Sequence, residues 1–538
     1  MANLFKNVID RQKWVQVAPT PNAHSAGMGF ASDLRNDVSR NPFVYQLSSA
    51  TVLNRYNIIQ KAWEFVVSPA LGGTFGAGAG CVFAPSLGLA GAIAAGATTT
   101  SIPTSTVMTA VGVNMFANRG GGSYGFKVRI IGLSAGGSGK TEERWIVGNT
   151  GGTTPTLLLD SALSFTPANG DRYEILSGRI FMLSAGVLAA GMWKSFEVAS
   201  NTLSGNLATT NLPATVGTDF SAIALDEQYV PYNKKPGEGF VTDAAVTYNG
   251  GALTALDCTA IGASSITGQA TGGDASVLAN EYRNFQIRIV EDTTTPTAVG
   301  QRRIIASHTA GASPVYTLGA AWTVNPSTNA KYVIENPNII LLFSSASTST
   351  FTYNYSGSTI NNGTNSIAND AWSVTYFGVR GGAMGAGCTT LGSFGIVPDA
   401  AKNARHSFVH SFRGGNVSTL DILDISGGTT GTWANASVYD GARSLTTGAC
   451  GKYAPADQEG RFGYLNIYVA SAISQMFRYD VKNRVLSSQV PTDWIQSGTA
   501  AAGDRIATYV AVDGTDDYTV ILLMSHLSSI SQELIVQT

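Results

Sequence analysis

The feature that most constrains this chain is a strand–turn–strand pattern that recurs along it. Its clearest copy covers residues 463–494, where two β-branched and aromatic runs, 464–469 and 476–481, are followed by a polar loop with Pro491 and Trp494. Strand-forming runs of this length, bounded by turn residues, predict an antiparallel hairpin. One hairpin is only marginally stable in water, so the number of copies decides the fold.

The same pattern occurs five times inside the chain and once across its two ends. The other internal copies have their paired runs at 43–47 with 52–57, 179–183 with 192–198, 339–343 with 351–355, and 407–409 with 420–425. The runs 518–523 and 533–536 begin a sixth copy without the tryptophan and proline, which Trp14 and Pro19 supply from the N-terminus. We therefore predict that the two ends build one sheet together.

Six small antiparallel sheets of this kind predict an all-β fold, a six-bladed β-propeller closed by the two termini. Radial repetition leaves only short, protected sheet edges, and a sheet shared by both ends locks the ring. The hydrophobic strand, the Tyr-Asp or Tyr-Asn pair on the next strand and the Trp-Pro-Gly continuation resemble kelch-type propeller blades. The Gly-Gly pair of such blades is largely absent from the matching strand ends.

Composition excludes several classes of protein. Charged residues are 13% and hydrophobic residues 44% of the chain, which is not the composition of a disordered protein. The 33 basic and 35 acidic residues leave a net charge of −2, without the basic excess of a protein that grips phosphates. Three of the four cysteines, Cys81, Cys388 and Cys450, fall at the same small-residue place in the repeat, which indicates packing rather than metal or disulfide chemistry.

The sequence predicts neither secretion nor membrane insertion. No apolar leader follows Met1, so we expect synthesis in a reducing compartment. Residues 87–97 are uncharged, but they are mostly glycine and alanine and fall short of the ~20 apolar residues of a membrane span. We predict a buried or interface segment there.

Two long excursions between the blades match each other without a gap, at positions 159 residues apart. Phe126 matches Phe285 and Pro167 matches Pro326, and the period-two alternation of apolar residues makes both modules β. We predict that each module is inserted ahead of a blade's first strand, so that both project from one side. The predicted divisions are 1–112 (propeller, with the N-terminal latch strand and first full blade), 113–177 (module A), 178–246 (propeller blade), 247–338 (module B) and 339–538 (propeller blades and C-terminal latch strands).

The sharpest chemical motif is residues 134–141, which end Gly139-Lys140-Thr141 and resemble a phosphate-binding P-loop. Such a loop needs a strand before it and a helix after it, so that backbone amides point at the phosphates. Here a strand pattern follows Thr141, and Ser134 replaces the first glycine. We therefore predict a hairpin loop without nucleotide chemistry.

The histidines and acidic pairs do not form a recognisable site. His406 and His410 lie on a strand pattern, where a spacing of four shares a face but spans too far for one ion. The acidic pair Asp421 and Asp424 falls in a strand, with no sign of a glycosidase pair. We predict no catalytic, cofactor-binding or metal-binding residues, and therefore no enzyme.

A low-charge propeller with duplicated β insertions resembles the nozzle (tail tubular) proteins of short-tailed bacteriophages. The resemblance implies a structural virion protein of the tail, assembled in the host cytoplasm as a homo-hexameric ring that extends the DNA-ejection channel. It implies contacts with the adaptor, other tail proteins and fibres, and transient passage of double-stranded DNA. We expect the ring contacts to use exposed aromatic residues of the modules, namely Trp145, Tyr316 and Trp322.

Two other classes remain open. The alternative is a carbohydrate-binding or receptor-binding propeller of a phage fibre or a head decoration protein. The third is a kelch-like oxidase, which needs a copper site of Tyr, His and Cys. Five scattered histidines argue against that site.

Overall fold

A computed structural model of the 538-residue chain describes most of the six repeats and both inserted modules. The described residues are 14–19, 29–32, 43–49, 52–65, 75, 79–84, 88–109, 111–117, 125–134, 138–184, 193–212, 216, 220–225, 246–248, 251–253, 255–269, 278–385, 389–399, 404–415, 419–437, 450–455, 463–469, 475–480, 485–489, 505–513, 516–524 and 531–536. Pro491 and Trp494 of the clearest repeat lie outside them.

The fold is all-β, as predicted: within the described residues, a short 3-10 turn at Pro296–Ala298 accompanies forty strands. The first twenty strands are β1 (Trp14–Val17), β2 (Phe30–Ser32), β3 (Phe43–Ser49), β4 (Val52–Asn57), β5 (Ala62–Phe65), β6 (Gly80–Ala84), β7 (Ala90–Ala92), β8 (Ser101–Pro103), β9 (Lys127–Ile131), β10 (Thr141–Asn149), β11 (Thr156–Leu159), β12 (Arg172–Ile175), β13 (Arg179–Leu183), β14 (Trp193–Glu197), β15 (Thr202–Leu203), β16 (Phe220–Ala224), β17 (Val246–Tyr248), β18 (Gly251–Leu253), β19 (Leu256–Gly262) and β20 (Ser265–Gly268). The others are β21 (Gln286–Glu291), β22 (Arg302–His308), β23 (Val315–Leu318), β24 (Lys331–Glu335), β25 (Ile339–Ser344), β26 (Ser347–Asn354), β27 (Ile360–Asn361), β28 (Ser366–Ile367), β29 (Ala371–Ser373), β30 (Thr389–Asp399), β31 (Ala404–Phe412), β32 (Thr419–Asp424), β33 (Thr432–Ser437), β34 (Cys450–Pro455), β35 (Gly463–Val469), β36 (Gln475–Asp480), β37 (Val485–Gln489), β38 (Arg505–Asp513), β39 (Asp516–Met524) and β40 (Ser531–Val536).

Twenty-four of these strands form six four-stranded antiparallel sheets, one for each copy of the repeat. In strand order they are sheet 1 (β2-β3-β4-β5), sheet 2 (β6-β13-β14-β15), sheet 3 (β16-β25-β26-β29), sheet 4 (β30-β31-β32-β33), sheet 5 (β34-β35-β36-β37) and sheet 6 (β38-β39-β40-β1). The runs recognised in the sequence are the second and third strands of sheets 1 to 5. In sheets 1 to 4 the third or the fourth strand carries the tryptophan. In sheet 6 the recognised runs are likewise its second and third strands, and β1 is its fourth.

The two ends of the chain meet in sheet 6. β1 pairs antiparallel with β40, with Trp14 opposite Leu534 and Val17 opposite Ser531. Along their shared edge, the backbone groups of the two terminal strands are therefore paired with each other, and β40 pairs with β39 on its other side. This pairing agrees with the prediction that the ends share a sheet.

The first strand of every sheet lies beside the first strands of two other sheets. β2 is adjacent to β38 and β6, β16 is adjacent to β6 and β30, and β34 is adjacent to β30 and β38. Glycine makes room for this approach: a Cβ on Gly29 would lie 2.3 Å from the Cys81 nitrogen, and one on Gly80 would lie 2.9 Å from Phe220 Cε2. The small-residue stretch that ends in Cys81 thus serves close packing between sheets.

Aromatic residues fill the space between neighbouring sheets. Trp193 of sheet 2 stacks on Phe181 at 5.2 Å between ring centroids, and it meets Tyr353 and Trp372 of sheet 3 at 5.1 and 5.2 Å. These rings belong to one buried cluster that includes Ile340, and such contacts add to the free energy of apolar burial. Trp193, a tryptophan of the repeat, therefore packs between sheet 2 and sheet 3.

The inserted modules leave their sheets after the first strand. Module A lies between β6 and β13 of sheet 2, and module B lies between β16 and β25 of sheet 3. The prediction that each insertion precedes a blade's first strand is therefore wrong. That error arose because the first strands are short and rich in glycine and alanine, and such residues have little β-propensity.

The two modules have the same strand order. Module B is a closed six-stranded barrel, β19-β20-β23-β22-β21-β24, and module A is a six-stranded sheet in the equivalent order β8-β11-β10-β9-β12-β7. An isolated bridge between Ile93 and Thr104 joins the two outer strands of module A. Module A therefore includes β7 and β8 and begins before residue 113, where the sequence analysis placed its start.

β7 comes from the glycine- and alanine-rich segment 87–97, so this segment contributes a strand to module A.

Among the described residues, no helix is long and apolar enough to cross a membrane. Two short hairpins accompany the modules: β17–β18 lies beside β10, and β27–β28 lies beside β22.

Candidate functional site: the junction of the two barrels

The two modules join through the same loop of each, the one between their third and fourth strands. The Asp292 N–H donates to the Gly139 carbonyl oxygen at 2.6 Å, and an antiparallel bridge pairs Lys140 with Glu291. Gly139 has a φ of 65°, and a Cβ there would lie 2.0 Å from the Asp292 oxygen, so only glycine fits. Ile131, beside this loop, belongs to the buried cluster of module B.

This geometry accounts for the P-loop resemblance. The residues after Lys140 form β10, a strand and not the helix that a phosphate-binding loop requires, so the prediction of a hairpin loop is confirmed. Gly139 and Lys140 contribute backbone groups to the contact with module B. The described end of this loop, Gly139 and Lys140, therefore docks module A against module B.

A buried chain of six charged side chains crosses this junction, with acid and base in alternation. Arg129 in module A contacts Glu143 at 2.9 Å and Glu174 at 2.9 Å. Glu174 also faces Arg302 of module B, whose Nη2 lies 3.4 Å from Glu174 Oε2. The chain continues from Arg302 to Glu335 at 3.7 Å, and Arg288 binds both oxygens of Glu335 at 3.0 and 3.1 Å.

We call these six side chains the junction network. Its three positive and three negative charges balance. Its side chains are between 2% and 12% exposed, so each ion has given up most of its hydration. Removing an ion from water costs several kcal/mol, and that cost is repaid only where opposite charges and hydrogen bonds surround the group. Three arginines and three glutamates in alternation supply the opposite charges, with direct hydrogen bonds from Arg129 to Glu143 and Glu174 and from Arg288 to Glu335.

The shifts in pKa follow from the competition between burial and neighbouring charge. Burial alone would raise the pKa of the Glu174 carboxyl, but Arg302 and Arg129 outweigh burial and lower the pKa to about 2. The same balance lowers the pKa of Glu335 to about 2, with Arg288 as its main partner, and also lowers the pKa of Glu143. Burial lowers the pKa of Arg302, and Glu174 opposes that effect.

The junction network contains a charge reversal between duplicated positions. Arg129 and Arg288 match each other, and in both modules this arginine stands opposite the same position of the next strand. That position is Glu143 in module A and Arg302 in module B. Module A therefore pairs Arg129 with Glu143 internally, whereas Arg302 contacts Glu335 of its own module at 3.7 Å and Glu174 of module A at 3.4 Å. The reversal makes an A–B junction electrostatically favourable and an A–A or B–B junction unfavourable.

This arrangement binds and orients; it does not resemble a catalytic pair. All three carboxylates accept from arginine, and depressed pKa values keep them ionised at neutral pH. A general acid would need a raised pKa, so the network favours a rigid connection between the barrels over proton transfer.

A second matched feature is a side chain at the end of the fourth strand of each module. It forms a hydrogen bond with the loop that precedes the third strand, at the end of the module opposite the junction. In module A, Asn149 Oδ1 accepts from the Phe116 N–H at 2.8 Å, and its Nδ2 donates to the Thr150 oxygen. In module B, His308 takes this place: Nε2 accepts from the Tyr282 N–H at 2.8 Å, and Nδ1 lies 3.0 Å from the oxygen of the residue that follows. Two different side chains thus make the same pair of hydrogen bonds.

The aromatic residues expected at the surface of the modules are buried. Trp145, Tyr316 and Trp322 are 6%, 0% and 6% exposed. Lys127 Nζ covers the ring of Trp145 at 4.7 Å, and the Arg303 guanidinium covers Trp322 at 5.5 Å. The prediction that these three aromatic residues are exposed is therefore wrong, because each faces its own module or is covered by a cation.

The remaining candidates of the sequence analysis are placed apart from the junction. His406 and His410 both lie on β31, and Asp421 binds Arg413 through both carboxylate oxygens at 2.7 and 2.8 Å. Within the described residues, no group of three or more His, Cys, Asp or Glu side chains is placed to hold a metal ion.

Sequence reasoning missed the junction network, although one signal was available. Glu143 and Arg302 are opposite charges at matched positions of an otherwise apolar alternation. A charge that reverses between duplicated positions indicates that the two copies face different surroundings, and here those surroundings are each other.

No protein-family model matches the chain, and no curated protein matches it. Among solved structures, the chain is similar to one described as "NanB plus Optactamide", with a TM-score of 0.22 and 8% sequence identity over 98% of this chain and 94% of that chain. A likeness this weak carries no argument about fold or function.

Proposed function

We propose that this protein is the subunit of a homo-oligomeric ring in a phage tail, a nozzle that extends the DNA-ejection channel. In this proposal the six sheets are the blades of a six-bladed propeller, and the two barrels stand on it as one rigid arm. The protein acts by assembling with copies of itself and with neighbouring tail proteins, and DNA passes through the ring without stable binding.

The observation that carries the proposal is the shared sheet 6. Pairing of β1 with β40 joins the first and last parts of the chain, and the first strands of the six sheets follow one another in sequence around a closed set of neighbours. Such a body has few free sheet edges and resists unravelling from its ends, as a part under mechanical load must.

The junction network and the overall charge support the same proposal. A buried alternating network fixes the two barrels relative to each other, as an assembly subunit requires for a repeatable contact angle. The 33 basic and 35 acidic residues provide no strong net attraction for a polyanion, which suits a channel that DNA must slide through.

The test is the assembly state of the full-length protein. We expect mass photometry to detect a discrete oligomer, six copies in our proposal, and negative-stain images to show a ring with a central hole wide enough for duplex DNA. A phage that lacks the protein should fail to retain its DNA or tail. A strictly monomeric protein over the whole soluble concentration range would overturn the proposal.

The same sample distinguishes the other candidate. A glycan array run on the full-length protein should show no defined ligand if the protein is a nozzle. Saturable binding of one glycan class by a monomer would instead favour the carbohydrate-binding or receptor-binding propeller.

A further inference from the structure

His308, at the end of β22, holds the loop at residues 278–284 that precedes β21, and we call this loop the entry loop of module B. The histidine is 4% exposed. Its Nε2 accepts from the Tyr282 N–H at 2.8 Å, and its Nδ1 lies 3.0 Å from the Thr309 oxygen. A backbone N–H only donates and a carbonyl oxygen only accepts, so these two partners require a neutral imidazole with its proton on Nδ1.

The entry loop also attaches module B to sheet 4. Asn284 Nδ2 donates to the Ile425 oxygen at 2.6 Å and to the Gly428 oxygen at 3.2 Å, in the turn between β32 and β33. Asn284 has a φ of 67°, a left-handed conformation that surrounding contacts stabilise. Asp424 is the charged side chain beside this turn, and its Oδ1 accepts a backbone N–H at 2.9 Å. The hydrogen bond to His308 and the contact with sheet 4 thus belong to the same short loop.

A second proton on the ring turns the acceptor of this hydrogen bond into a donor. Two N–H groups would then face each other over the 2.8 Å that separates His308 Nε2 from the Tyr282 nitrogen, and a positive charge would be buried. An imidazole in water ordinarily takes up this proton near pH 6.5. The closed loop therefore excludes the proton and the opened loop accepts it, so acid favours the opened loop.

The groups that surround the ring come from the entry loop and from β23. The rings of Tyr282 and Tyr316 lie 5.7 and 5.1 Å from the imidazole between centroids, and phenols ordinarily stay neutral below about pH 9. In the loop, the Glu281 carboxylate accepts a backbone N–H at 3.1 Å, and Arg283 Nε donates to a backbone oxygen of β22 at 3.0 Å. Carboxylates and guanidinium groups ordinarily keep their charges between about pH 5.5 and 7.5. Of these groups, His308 is the one that changes charge in that range.

Module A makes the same connection without a titratable group. Asn149 Oδ1 accepts from the Phe116 N–H at 2.8 Å, and its Nδ2 donates to the Thr150 oxygen. An amide side chain carries the same acceptor and donor at every pH between 5 and 8. A histidine in place of the asparagine therefore gives module B a response to acid that module A lacks.

We propose that protonation of His308 opens the entry loop and releases module B from sheet 4. The inference goes beyond the proposed function, since it requires neither a ring nor DNA. The closed loop is most stable above about pH 6.5, where the ring is neutral whether the loop is closed or open, and it loses stability as the pH falls below that value. Module B is therefore held against sheet 4 at neutral pH and loosened in mild acid.

Hydrogen exchange of the full-length protein at pH 7.5 and pH 5.5 tests the proposal. Exchange rates are divided by the rate of an unprotected amide at each pH, so that the remaining change reports opening of the loop. Because the closed loop excludes the proton and an opened ring titrates near 6.5, protection of the Tyr282 amide should fall about tenfold over this interval. The amides of residues 425–431 should lose protection with it. The Phe116 amide of module A, the internal control, should keep its protection.

Three full-length variants assign the response to its group. His308→Asn should protect the Tyr282 amide equally at both pH values, because asparagine accepts the N–H without titrating. Glu281→Gln, the matched control, should respond to acid like the original protein. Asn284→Ala removes the two hydrogen bonds to sheet 4, so residues 425–431 should exchange faster at pH 7.5 already.

Unchanged protection of the Tyr282 amide at pH 5.5 in the original protein would overturn the inference. An equal fall in His308→Asn would assign the response to another group and would overturn it as well. The release from sheet 4 is overturned if protection falls at Tyr282 but not at residues 425–431, or if those residues exchange in Asn284→Ala as they do in the original protein.

Discussion

His308 and Asn149 show how much freedom a matched position has. Both side chains accept from a backbone N–H of the loop before the third strand and donate to the oxygen of the residue that follows. An amide and a neutral imidazole each carry one acceptor and one donor at suitable spacing, so either residue satisfies the same buried backbone groups. At this position the fold requires the two hydrogen bonds, but it does not require one particular residue type.

This equivalence predicts that His308→Asn is mild and His308→Ala is not. The asparagine should keep both hydrogen bonds and lose only ring contact with Tyr282 and Tyr316, whereas alanine leaves the buried Tyr282 N–H without its acceptor, a cost of about 1–3 kcal/mol. Hydrogen exchange at the Tyr282 amide measures the difference directly. Protection should persist in His308→Asn and fall in His308→Ala; equal protection in the two variants would contradict the assigned role.

Glycine in a first strand is a requirement of packing between elements. A Cβ on Gly80 would meet the Phe220 ring of the neighbouring sheet at 2.9 Å, whereas one on Gly205 would meet nothing within 4 Å. We expect Gly80→Val to lower the thermal midpoint and soluble yield, with an overpacking cost of about 1–3 kcal/mol. Gly205→Ala, the control, should leave both unchanged. If the two variants melt alike, the first strands do not approach as closely as described.

Pairing of the terminal strands predicts where a disulfide can form. Gln16 and Gln532 lie directly opposite each other in β1 and β40, at a separation that a disulfide can bridge. Gln16→Cys with Gln532→Cys should cross-link under mild oxidation, as read by peptide mass spectrometry. Gln16→Cys with Leu534→Cys, two residues out of register, should cross-link far less. Cross-linking of both pairs to the same extent would argue against a fixed terminal sheet.

How far sequence predicts an element depends on what holds that element in place. The second and third strands of the sheets, such as β13 and β25, are β-branched or aromatic runs, and they were recognisable because local propensity and burial agree. The sequence analysis did not predict β6 and β7, because these strands form through pairing with neighbouring strands. Their glycine and alanine residues allow close approach of those strands but give no alternation of apolar and polar residues. The duplication was visible because matched cores keep matched residues.

The junction network was beyond sequence reasoning for a similar reason. Arg129 and Glu143 lie opposite each other in the β9–β10 hairpin. The alternation of apolar and polar residues along the two strands is enough to predict that pair. Arg302 and Glu174 belong to different modules, and their contact depends on the angle at which two barrels dock. A single sequence contains no periodicity that reports such an angle.

At the scale of the whole molecule, the junction network should make stability sensitive to acid. Glu174 and Glu335 have pKa values of about 2 in the folded protein and an ordinary value of 4.5, so the unfolded chain takes up their protons first as pH falls. Their contribution is fully present above about pH 5 and is lost as pH falls toward 2, at about 3 kcal/mol for each carboxyl.

Thermal midpoints between pH 7 and pH 3 test this dependence. The original protein should lose stability across the window, and Glu174→Gln should start lower and lose less, because one of the titrating carboxyls of the network is gone. Glu64→Gln, which alters a partly exposed ion pair in sheet 1, is the control and should follow the slope of the original protein. Parallel curves for Glu174→Gln and the original protein would contradict the role of the buried carboxylates.

The pairing of β1 with β40 has a consequence for synthesis. β1 is synthesised long before its partner β40, because more than 500 residues separate Val17 from Ser531. At about 5–20 residues per second, β1 waits roughly half a minute to two minutes with its backbone groups unpaired. A nonsense mutation before Ser531 therefore leaves β1 without its pairing partner, although β1 itself has been made.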